Sequence, residues 1–268
     1  MRTSFSRIKN WIRQNYNEIK KSYVKSHYQV DIPYQHCSHF INIGGAFEVT
    51  YFFQKWLPNP PAKALVIGAF GGRDYFYLKS KRYSVVALDL VKIPMIDNLV
   101  LGNIERPLPF KNGTMDVVIL SEVLEHLIKD AAALHSVRDV LKDDGTLIIS
   151  VPFYHDGPEY HVRIHNPKTI SRLVSACGFH IKYYVERPGI LRIPPMFNIL
   201  HHVLNIMLMK TFGITIYHIT LPLIGKFEYF FGKKTVPFRR LSNSFGAYLA
   251  CLKGDCWNYI TSNKENFN

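Results

Sequence analysis

Five short apolar runs, separated by segments with helical periodicity, constrain the fold of this chain more than any other sequence feature. The runs are rich in β-branched residues and almost continuously apolar, which is typical of parallel strands buried on both faces. They lie at Ala64–Gly68, Ser84–Asp89, Asn98–Leu101, Asp116–Ser121 and Thr146–Val151. This alternation predicts an α/β fold, a doubly wound and mostly parallel sheet with helices on both faces.

Helix signals lie between and after these runs. Ala131–Leu141 has helical spacing, and Asp143-Asp144-Gly145 follows it as a predicted turn. Asn166-Pro167 opens a further predicted helix, because proline suits the first helical turn, and Gly178 closes it.

Composition and charge separate the middle of the chain from its flanks. The chain has 268 residues, of which 47% are hydrophobic and 20% charged; these proportions exclude a disordered chain and a coiled coil. The net charge of +13 is uneven: residues 1–25 carry +6 and residues 182–240 carry +7, whereas 26–181 balance at fifteen charges of each sign. The basic flanks fit a nucleic acid, an anionic membrane surface, or a helix that caps the sheet with a solvated basic face.

Two segments outside the strand–helix alternation bear on this choice. The first has apolar residues at helical spacing, namely Ile8, Trp11, Ile12, Tyr16, Ile19 and Tyr23. The second, Ile193–Phe231, is rich in Leu, Ile, Met and Phe and has three charged residues. It favours a lid over a small-molecule or lipid-linked acceptor, and peripheral contact with an anionic membrane over nucleic-acid binding. The uncharged stretch Thr211–Gly225 is too short to span a bilayer, and Pro222 interrupts it.

The cysteines and the N-terminus predict a cytoplasmic protein. Cys37, Cys177, Cys251 and Cys256 have neither disulfide-scaffold nor zinc-finger spacing, so reduced thiols are expected. The first residues lack the apolar core of a signal peptide.

The turn after the first predicted strand points to a nucleoside ligand. Gly68–Gly72 is glycine-rich, and such a turn lets a ligand approach the backbone at a helix N-terminus. Asp89 follows Gly68 by 21 residues, at the end of the second strand, where a carboxylate can accept hydrogen bonds from ribose hydroxyls. A dinucleotide fingerprint would need glycine at both 70 and 73, where the chain has Phe70 and Arg73.

With these motifs in order, residues 60–180 resemble class I S-adenosylmethionine-dependent methyltransferases, in particular the type 11 methyltransferase domain. Besides the turn and Asp89, the segments Leu101–Phe110, Thr114–Leu127 and Leu141–Pro152 resemble family motifs. There are two departures. Val66 stands where the family usually has an acidic residue, and Phe70 replaces its middle glycine.

The resemblance implies a seven-stranded sheet whose last strand, Phe245–Leu252, is antiparallel, and S-adenosylmethionine as the cofactor. Asp89 would bind the ribose, and Asn103 would face the adenine. The cofactor-binding residues expected on this basis are Gly68, Ala69, Phe70, Gly71, Gly72, Asp89, Leu90, Asn103, Ile104, Ser121 and Glu122.

A second group of residues suggests a metal. Glu122, Glu125 and His126 follow the fourth strand at helical spacing, which would place all three on one helix face. Two carboxylates and an imidazole can share a divalent cation, and the pattern resembles the metal site of some O-methyltransferases. The same letters also occur in type 11 domains without metal, where they line the cofactor pocket or pack. His155, His161 and His165 lie further along the chain as additional ligands.

The segment after the fifth strand predicts the catalytic group. It is rich in titratable side chains and emerges at the sheet edge where methyl transfer is expected. A hydroxyl acceptor needs a general base, and we expect His155 or His161 in that role, with Tyr154 and Arg163 contacting the substrate. The alternative is a solvated loop with no catalytic histidine.

Together these patterns predict an enzyme, an S-adenosylmethionine-dependent O-methyltransferase acting on a small-molecule, sugar or lipid-linked acceptor. Residues 1–58 are expected to form a basic helical extension and 59–268 the methyltransferase domain, with an apolar lid at about 190–240. The alternative is a non-catalytic nucleoside-binding module or a membrane-associated scaffold that keeps a degenerate methyltransferase fold.

Overall fold

A computed structural model describes residues 2–33, 37, 40, 54–153, 161–187, 195–234 and 246–254. Its strands are β1 (Lys63–Ile67), β2 (Ser84–Asp89), β3 (Leu99–Leu101), β4 (Met115–Ser121), β5 (Leu141–Pro152), β6 (Phe179–Arg187) and β7 (Gly246–Lys253). Its helices are α1 (Arg2–Tyr28), α2 (Arg73–Ser80), α3 (Asp130–Val140), α4 (Pro167–Ala176), α5 (Pro195–Phe212) and α6 (Tyr217–Lys234).

The strands form one seven-stranded sheet in the order β3-β2-β1-β4-β5-β7-β6. The first five strands are parallel to their neighbours, whereas β7 is antiparallel to both β5 and β6. The predicted seven-stranded, mostly parallel sheet with an antiparallel last strand is therefore confirmed. Because β1 lies between β2 and β4, the chain reverses direction across the sheet at β1, which is where ligands bind in open α/β sheets.

The alternation of side chains along the strands builds a core on each face of the sheet. Ala64 and Val66 of β1 pack in the same cluster as α1 and α2, together with Tyr217 of α6. Leu65 and Ile67 face the other way, into the cluster that holds α3 and α4. The predicted coverage of both faces by helices is confirmed.

Helix α1 belongs to the first of these clusters. Its Ile19, Tyr23 and Val24 are buried, and the Tyr23 ring contacts the ring of Tyr217 edge-on at 5.6 Å between centroids. This agrees with the sequence-based alternative of a helix that caps the sheet. Trp11, which the spacing assigns to the apolar face, is 48% exposed instead.

Local capping explains α4. The Asn166 side chain accepts hydrogen bonds from the backbone N–H groups of Lys168 and Thr169, the Thr169 hydroxyl accepts one from the Asn166 N–H, and Pro167 occupies the first position. These contacts satisfy N–H groups that a helix start leaves without partners, as the sequence predicts.

Two local predictions are wrong. Glu122–His126 is not the start of a helix, because residues 124–126 form a single 3-10 turn and α3 begins at Asp130. The predicted turn at 143–145 lies within β5, where the pairing with β4 shifts register. In both places the sheet edge and its pairing, rather than local periodicity, determine the backbone.

Three cysteines, Cys37, Cys177 and Cys251, are buried free thiols, and Cys256 lies outside the described residues. Among the described helices, none combines the length and the apolar character that crossing a membrane requires.

Candidate functional site

A cavity of about 650 Å³ opens at the carboxyl ends of β1, β2 and β4. It lies at the point where the sheet order reverses, and the turns that follow these three strands line it. Its lining residues are Val66, Ile67, Gly68, Ala69, Phe70, Arg73, Asp74, Leu88, Asp89, Leu90, Gly102, Ile104, Ser121, Glu122, Val123, His126 and Leu127.

The glycine-rich turn (Gly68–Gly72) forms one wall of this cavity. Gly68, Gly71 and Gly72 all have positive φ angles, between 68° and 79°, which glycine adopts without steric cost. A Cβ atom on Gly68 would also lie 2.5 Å from Cγ2 of Val123. The turn thus needs glycine at position 68 for both its backbone angle and its close contact with the segment after β4.

Asp89 ends β2 beside this turn. Its carboxylate lines the cavity and accepts a hydrogen bond from the Val91 N–H at 3.2 Å, which orients it at the strand end. The Gly102 N–H donates to the Asp89 carbonyl at 3.0 Å and brings the segment after β3 alongside. Asp89 is therefore held at the position from which a carboxylate can bind a ribose.

A hydrogen-bonded set of side chains, here called the Arg73 network, joins the glycine-rich turn to β4 and β5. The Arg73 guanidinium donates to both carboxylate oxygens of Asp74, at 2.7 and 2.9 Å, and to Ser121 Oγ at 2.8 Å. Ser121 Oγ lies 3.1 Å from Ser150 Oγ, which donates to Glu122 Oε1 at 2.8 Å. One guanidinium is thus linked to two carboxylates, to one directly and to the other through two hydroxyls.

Burial strengthens the electrostatic interaction between Arg73 and Asp74. The side chains of Arg73 and Asp74 are only 11% and 8% exposed. Burial by itself would lower the pKa of the Arg73 guanidinium, but the adjacent Asp74 carboxylate reverses this and raises the pKa above its ordinary value. The Arg73 guanidinium is therefore charged inside the cavity wall.

The backbone at Glu122 is strained. Its φ angle is 55°, a left-handed conformation that costs a non-glycine residue about 1–3 kcal/mol. Such strain persists only where surrounding contacts hold the residue, and the hydrogen bond from Ser150 is one of them. The conformation places Glu122 in the cavity lining.

Of the three predicted metal ligands, Glu125 and His126 lie together, whereas Glu122 does not belong to their group. The donor atoms of Glu125, His126 and His161 all lie within 4.8 Å of one another, whereas the Glu122 carboxylate is engaged with Ser150. Because residues 122–126 do not form a continuous helix, the expectation of three side chains on one helix face is wrong. His161, from the segment after β5, lies where Glu122 was expected.

The rings of His126, which lines the cavity, and His161 lie against each other. Their ring centroids are 4.7 Å apart, with the planes at 68°. Partial burial, with the charge on His126 as a smaller contribution, lowers the pKa of His161 below its ordinary value of 6.5, although Glu122 acts in the opposite direction.

The remaining candidates after β5 have other surroundings. His165 is buried at 4% exposure beneath this region. The Arg163 guanidinium donates to the Ile128 carbonyl at 2.7 Å and lies 3.5 Å from Asp130, so it clamps two segments together. His155 and Tyr154 lie outside the described residues.

Most of the expected cofactor-binding residues line the cavity, and three do not. Gly71 and Gly72 are buried in the turn, and the Asn103 side chain accepts a hydrogen bond from the Glu105 N–H at 2.8 Å. The cavity lining also includes Arg73 and Asp74, which the sequence analysis did not single out as ligand-binding residues. The sequence feature that could have indicated them is a pair of opposite charges, Arg73 and Asp74, directly after the glycine-rich turn.

Comparison with known proteins agrees with this geometry. Residues 65–149 match the family described as "Methyltransferase domain". The match begins within β1, ends within β5 and includes every residue of the cavity lining. An uncharacterized protein of Methanocaldococcus jannaschii is 34% identical over 92 residues, which are 32% of this chain and 40% of that protein. The match thus spans less than half of that relative.

Three solved structures share the fold. Phosphoethanolamine N-methyltransferase 2 of Haemonchus contortus, in complex with S-adenosyl-L-methionine, superposes with a TM-score of 0.52, 14% identity, and coverage of 88% of this chain and 60% of that one. A SAM-dependent methyltransferase from Archaeoglobus fulgidus superposes with a TM-score of 0.50 and 15% identity, and the superposition covers 78% of this chain and 95% of that one. The [4+2]-cyclase SpnF superposes with a TM-score of 0.50 and 11% identity, and the superposition covers 77% of this chain and 80% of that one. At these identities the likeness shows the fold alone.

The predicted type 11 methyltransferase domain is confirmed by the family match, and the predicted class I fold by the sheet order and by these structures. Residues 65–149, which match the methyltransferase-domain family, thus lie on a seven-stranded sheet with the class I fold.

Proposed function

We propose that this protein binds S-adenosylmethionine in the cavity and transfers its methyl group to an acceptor oxygen. The observation that carries the proposal is the juxtaposition of the glycine-rich turn and Asp89 at the ends of two neighbouring strands. The family match and the Haemonchus and Archaeoglobus enzymes of the same fold support it. When bound, the cofactor supplies an electrophilic methyl group on a sulfonium.

The residues of the cavity fit such a ligand. Gly68 lies in the cavity lining at the turn after β1, where a ligand can contact the backbone of a residue without a side chain. The Asp89 carboxylate would accept hydrogen bonds from the ribose hydroxyls, and Ile104, two residues after Gly102, would offer an apolar surface to the adenine. Leu90, Ser121 and Glu122 complete the expected set within the cavity lining.

For the acceptor we propose a hydroxyl group deprotonated by His161. This imidazole lies beside His126, which lines the cavity, and its lowered pKa keeps it neutral near pH 7, the form that accepts a proton. His155 stays a second sequence-based candidate for the same role.

The acceptor is proposed to have an apolar part, as a lipid-linked or other hydrophobic small molecule does. Ile128, Val162 and Ile164 are 68%, 52% and 71% exposed. They lie within three residues of the two histidines in sequence, and the Arg163 contact with Ile128 holds the two segments together. These aliphatic side chains therefore provide a surface next to the reacting groups.

A divalent metal at Glu125, His126 and His161 is an alternative use of the same side chains. Two imidazoles and a carboxylate are a donor set that suits zinc and similar ions. The two roles of His161 exclude each other, because an imidazole nitrogen that binds a metal cannot accept the acceptor's proton. Removal of metal therefore discriminates between them.

We also propose that the protein contacts an anionic membrane surface through α5 and its neighbours. Leu200, Val203, Leu204 and Met207 of α5 follow helical spacing and are each 39% to 59% exposed. The Lys210 ammonium lies 4.6 Å above the ring of Trp11, which places the basic helix α1 beside this surface. Apolar side chains flanked by cations suit the interface of an anionic bilayer.

Helices α5 and α6 lie in the segment predicted to form a lid. These helices contact α1, and α6 also contacts β6, and no described residue of either helix lines the cavity. The apolar lid at about 190–240 stays a proposal. The division at residue 58 stays a proposal, and α1 shares its core with the sheet.

A second candidate function is non-catalytic or non-methylating ligand binding. Val66 and Phe70 depart from the methyltransferase pattern, and the fold likeness to a protein named as a [4+2]-cyclase shows that this architecture is not confined to methyl transfer. The Arg73 network and the histidine pair favour the enzyme, because a binding module has no need of a base beside the ligand.

Isothermal titration calorimetry with S-adenosylhomocysteine tests the proposal. The wild-type protein should bind it, and Asp89→Ala should weaken binding at least tenfold, because the ribose would lose charge-assisted hydrogen bonds of about 1.5–3 kcal/mol each. Asp143→Ala is the matched control, since Asp143 is fully exposed and pairs only with Lys253 at 3.2 Å among the described contacts. Equal affinity of wild type and Asp89→Ala would overturn the assignment.

A further inference from the structure

We propose that the turn between α5 and α6, here called the hairpin tip (residues 211–214), inserts between the acyl chains of an anionic bilayer. The inference rests on the proposed membrane contact and goes beyond it, because a helix can adsorb on a charged surface without any side chain below the headgroups. It assigns Phe212 and Ile214 to the apolar interior of the bilayer, and Lys210 and Trp11 to the headgroup level.

The hairpin tip exposes apolar side chains. Phe212 and Ile214 are 68% and 55% exposed, although side chains of this kind are usually buried in a folded protein. Met207 on α5 and Ile219 on α6 are also largely exposed and extend the apolar surface along both helices. Extended exposed apolar surface is characteristic of sites that contact a membrane or another protein.

Hydrogen bonds between the two helices hold the tip in this arrangement. The Asn205 side chain on α5 is completely buried, and its carbonyl oxygen accepts a hydrogen bond from the Ile216 N–H at 2.8 Å. About one turn earlier on α5, His201 Nε2 lies 2.9 Å from Thr220 Oγ1 on α6. The helices are thus fastened to each other beside the tip, and the exposed apolar side chains are carried on a defined turn.

The charges around the tip match an anionic surface. Residues 187–227 include no acidic side chain. The Lys210 ammonium, two residues before Phe212, lies 4.6 Å above the ring of Trp11, and Arg13 is exposed on the same helix as Trp11. Lysine and tryptophan side chains favour the headgroup level of a bilayer. With both at that level, the uncharged tip beside them meets the acyl chains.

The same charges favour a bilayer over a second copy of this chain as the occupant of the tip. Two copies that met through their tips would bring Lys210 and Arg13 of each chain into the same contact region, and like charges in one interface are unfavourable. Anionic headgroups instead offer opposite charges to these cations, while the acyl chains below them accept the apolar side chains.

Phosphatidylglycerol vesicles brominated in the acyl chains test insertion, because bromine quenches indole fluorescence only at short range. In Phe212→Trp, the emission added to that of wild type should fall about twofold on binding, since inserted apolar side chains reach about 5–10 Å into the boundary between headgroups and acyl chains. Leu101→Trp is the matched control at an exposed position on β3, and its added emission should not change.

Phe212→Ser provides a second measurement at high salt, where the attraction between exposed charges is screened. Sedimentation of this variant with the vesicles should weaken about tenfold relative to wild type, because an aromatic side chain no longer leaves water. Thermal unfolding shows that each variant is folded.

Two results would overturn insertion and leave the proposed surface contact standing: bound Phe212→Trp whose added emission is not quenched, and equal binding of Phe212→Ser and wild type at high salt. A concentration-dependent dimer that Phe212→Ser dissociates, without quenching by vesicles, would assign the tip to a second copy and overturn insertion as well. Wild-type protein that does not sediment with the vesicles at low salt would overturn the proposed membrane contact and this inference with it.

Discussion

The imidazole rings of His126 and His161 lie 4.7 Å apart, although one follows β4 and the other follows β5. The Arg163 N–H donates to the Glu125 carbonyl at 3.0 Å and aligns the two segments. Parallel neighbouring strands end at the same sheet edge, so their following segments meet there. The proposed acceptor side of the site is thus assembled from two loops.

The first prediction concerns proton transfer by His161. Its pKa is lowered below 6.5, mainly by burial, so the ring should become neutral as the pH rises through a midpoint below 6.5 and stay neutral above it. Methyl transfer should follow the same curve. NMR titration in the presence of EDTA should show this imidazole resonance, and His161→Gln should remove it.

His161→Gln should also lower the rate by about 10²–10⁴, the usual contribution of a general base, while binding of S-adenosylhomocysteine stays within twofold. His135→Gln is the control, because His135 is exposed on α3. A midpoint above 6.5, or full activity of His161→Gln, would rule out this base.

The second prediction concerns Gly68. Gly68→Ala should lower the free energy of unfolding by about 2–4 kcal/mol, because alanine at φ 68° is strained and its Cβ would lie 2.5 Å from Val123. Gly113→Ala should cost only about 1 kcal/mol, since Gly113 has φ 63° and a Cβ there meets nothing within 4 Å. Urea unfolding measures both.

Val123→Ala in the Gly68→Ala background should recover part of the loss, because it removes the colliding methyl group. If both glycine variants lose the same stability, close contact with Val123 is not what selects glycine at position 68.

The third prediction concerns metal. If Glu125, His126 and His161 bind an ion, the purified protein should contain about one equivalent by elemental analysis, and Glu125→Gln should lose it. Activity should then stop on exhaustive chelation and return with zinc or manganese. Glu18→Gln, at an exposed site on α1, should keep the metal. Full activity in a protein shown to be metal-free would contradict metal binding in the reaction, and the three residues would then have structural or proton-transfer roles.

The fourth prediction concerns the membrane. The protein should sediment with phosphatidylglycerol vesicles at low salt and less so at high salt, because exposed charges are screened beyond about 10 Å at 0.1 M. Leu204→Ser combined with Met207→Ser should weaken binding at least fivefold, since both side chains are exposed on α5. Leu101→Ser, an exposed change on β3, should not.

Charge reversal at Arg13 and Lys21, both exposed on α1, tests the electrostatic part. It is preferable to deleting residues 1–25, because deletion would remove the buried Ile19, Tyr23 and Val24 from the core. A protein that stays in the supernatant at low salt contradicts the membrane proposal.

Much of the fold was predictable because its signals are local. The residues of β2 coincide with the predicted run, and α4 begins at the predicted cap, since strand periodicity and capping depend on residues close in sequence. The glycine-rich turn and Asp89 were predictable for a related reason. A β-α-β unit fixes where its first turn and second strand end relative to each other.

Other features depended on contacts between distant residues. The helical spacing of Glu122, Glu125 and His126 did not form a helix, because the sheet edge holds Glu122 in a left-handed conformation. His161 came to lie beside His126 only through the pairing of β4 with β5. Neither relationship has a sequence signature.

The sequence by itself therefore determined the class of fold, the strand and helix positions in the core, and the positions of the glycine-rich turn and Asp89 in the proposed nucleoside site, because these follow from periodicity and short-range turn chemistry. Only the tertiary structure decided that Arg73 links carboxylates from two sheet-edge segments, and that α5 packs on α1 with an exposed apolar face. Side-chain hydrogen bonds and helix packing across the sheet join residues far apart in the chain, and local patterns carry no information about them.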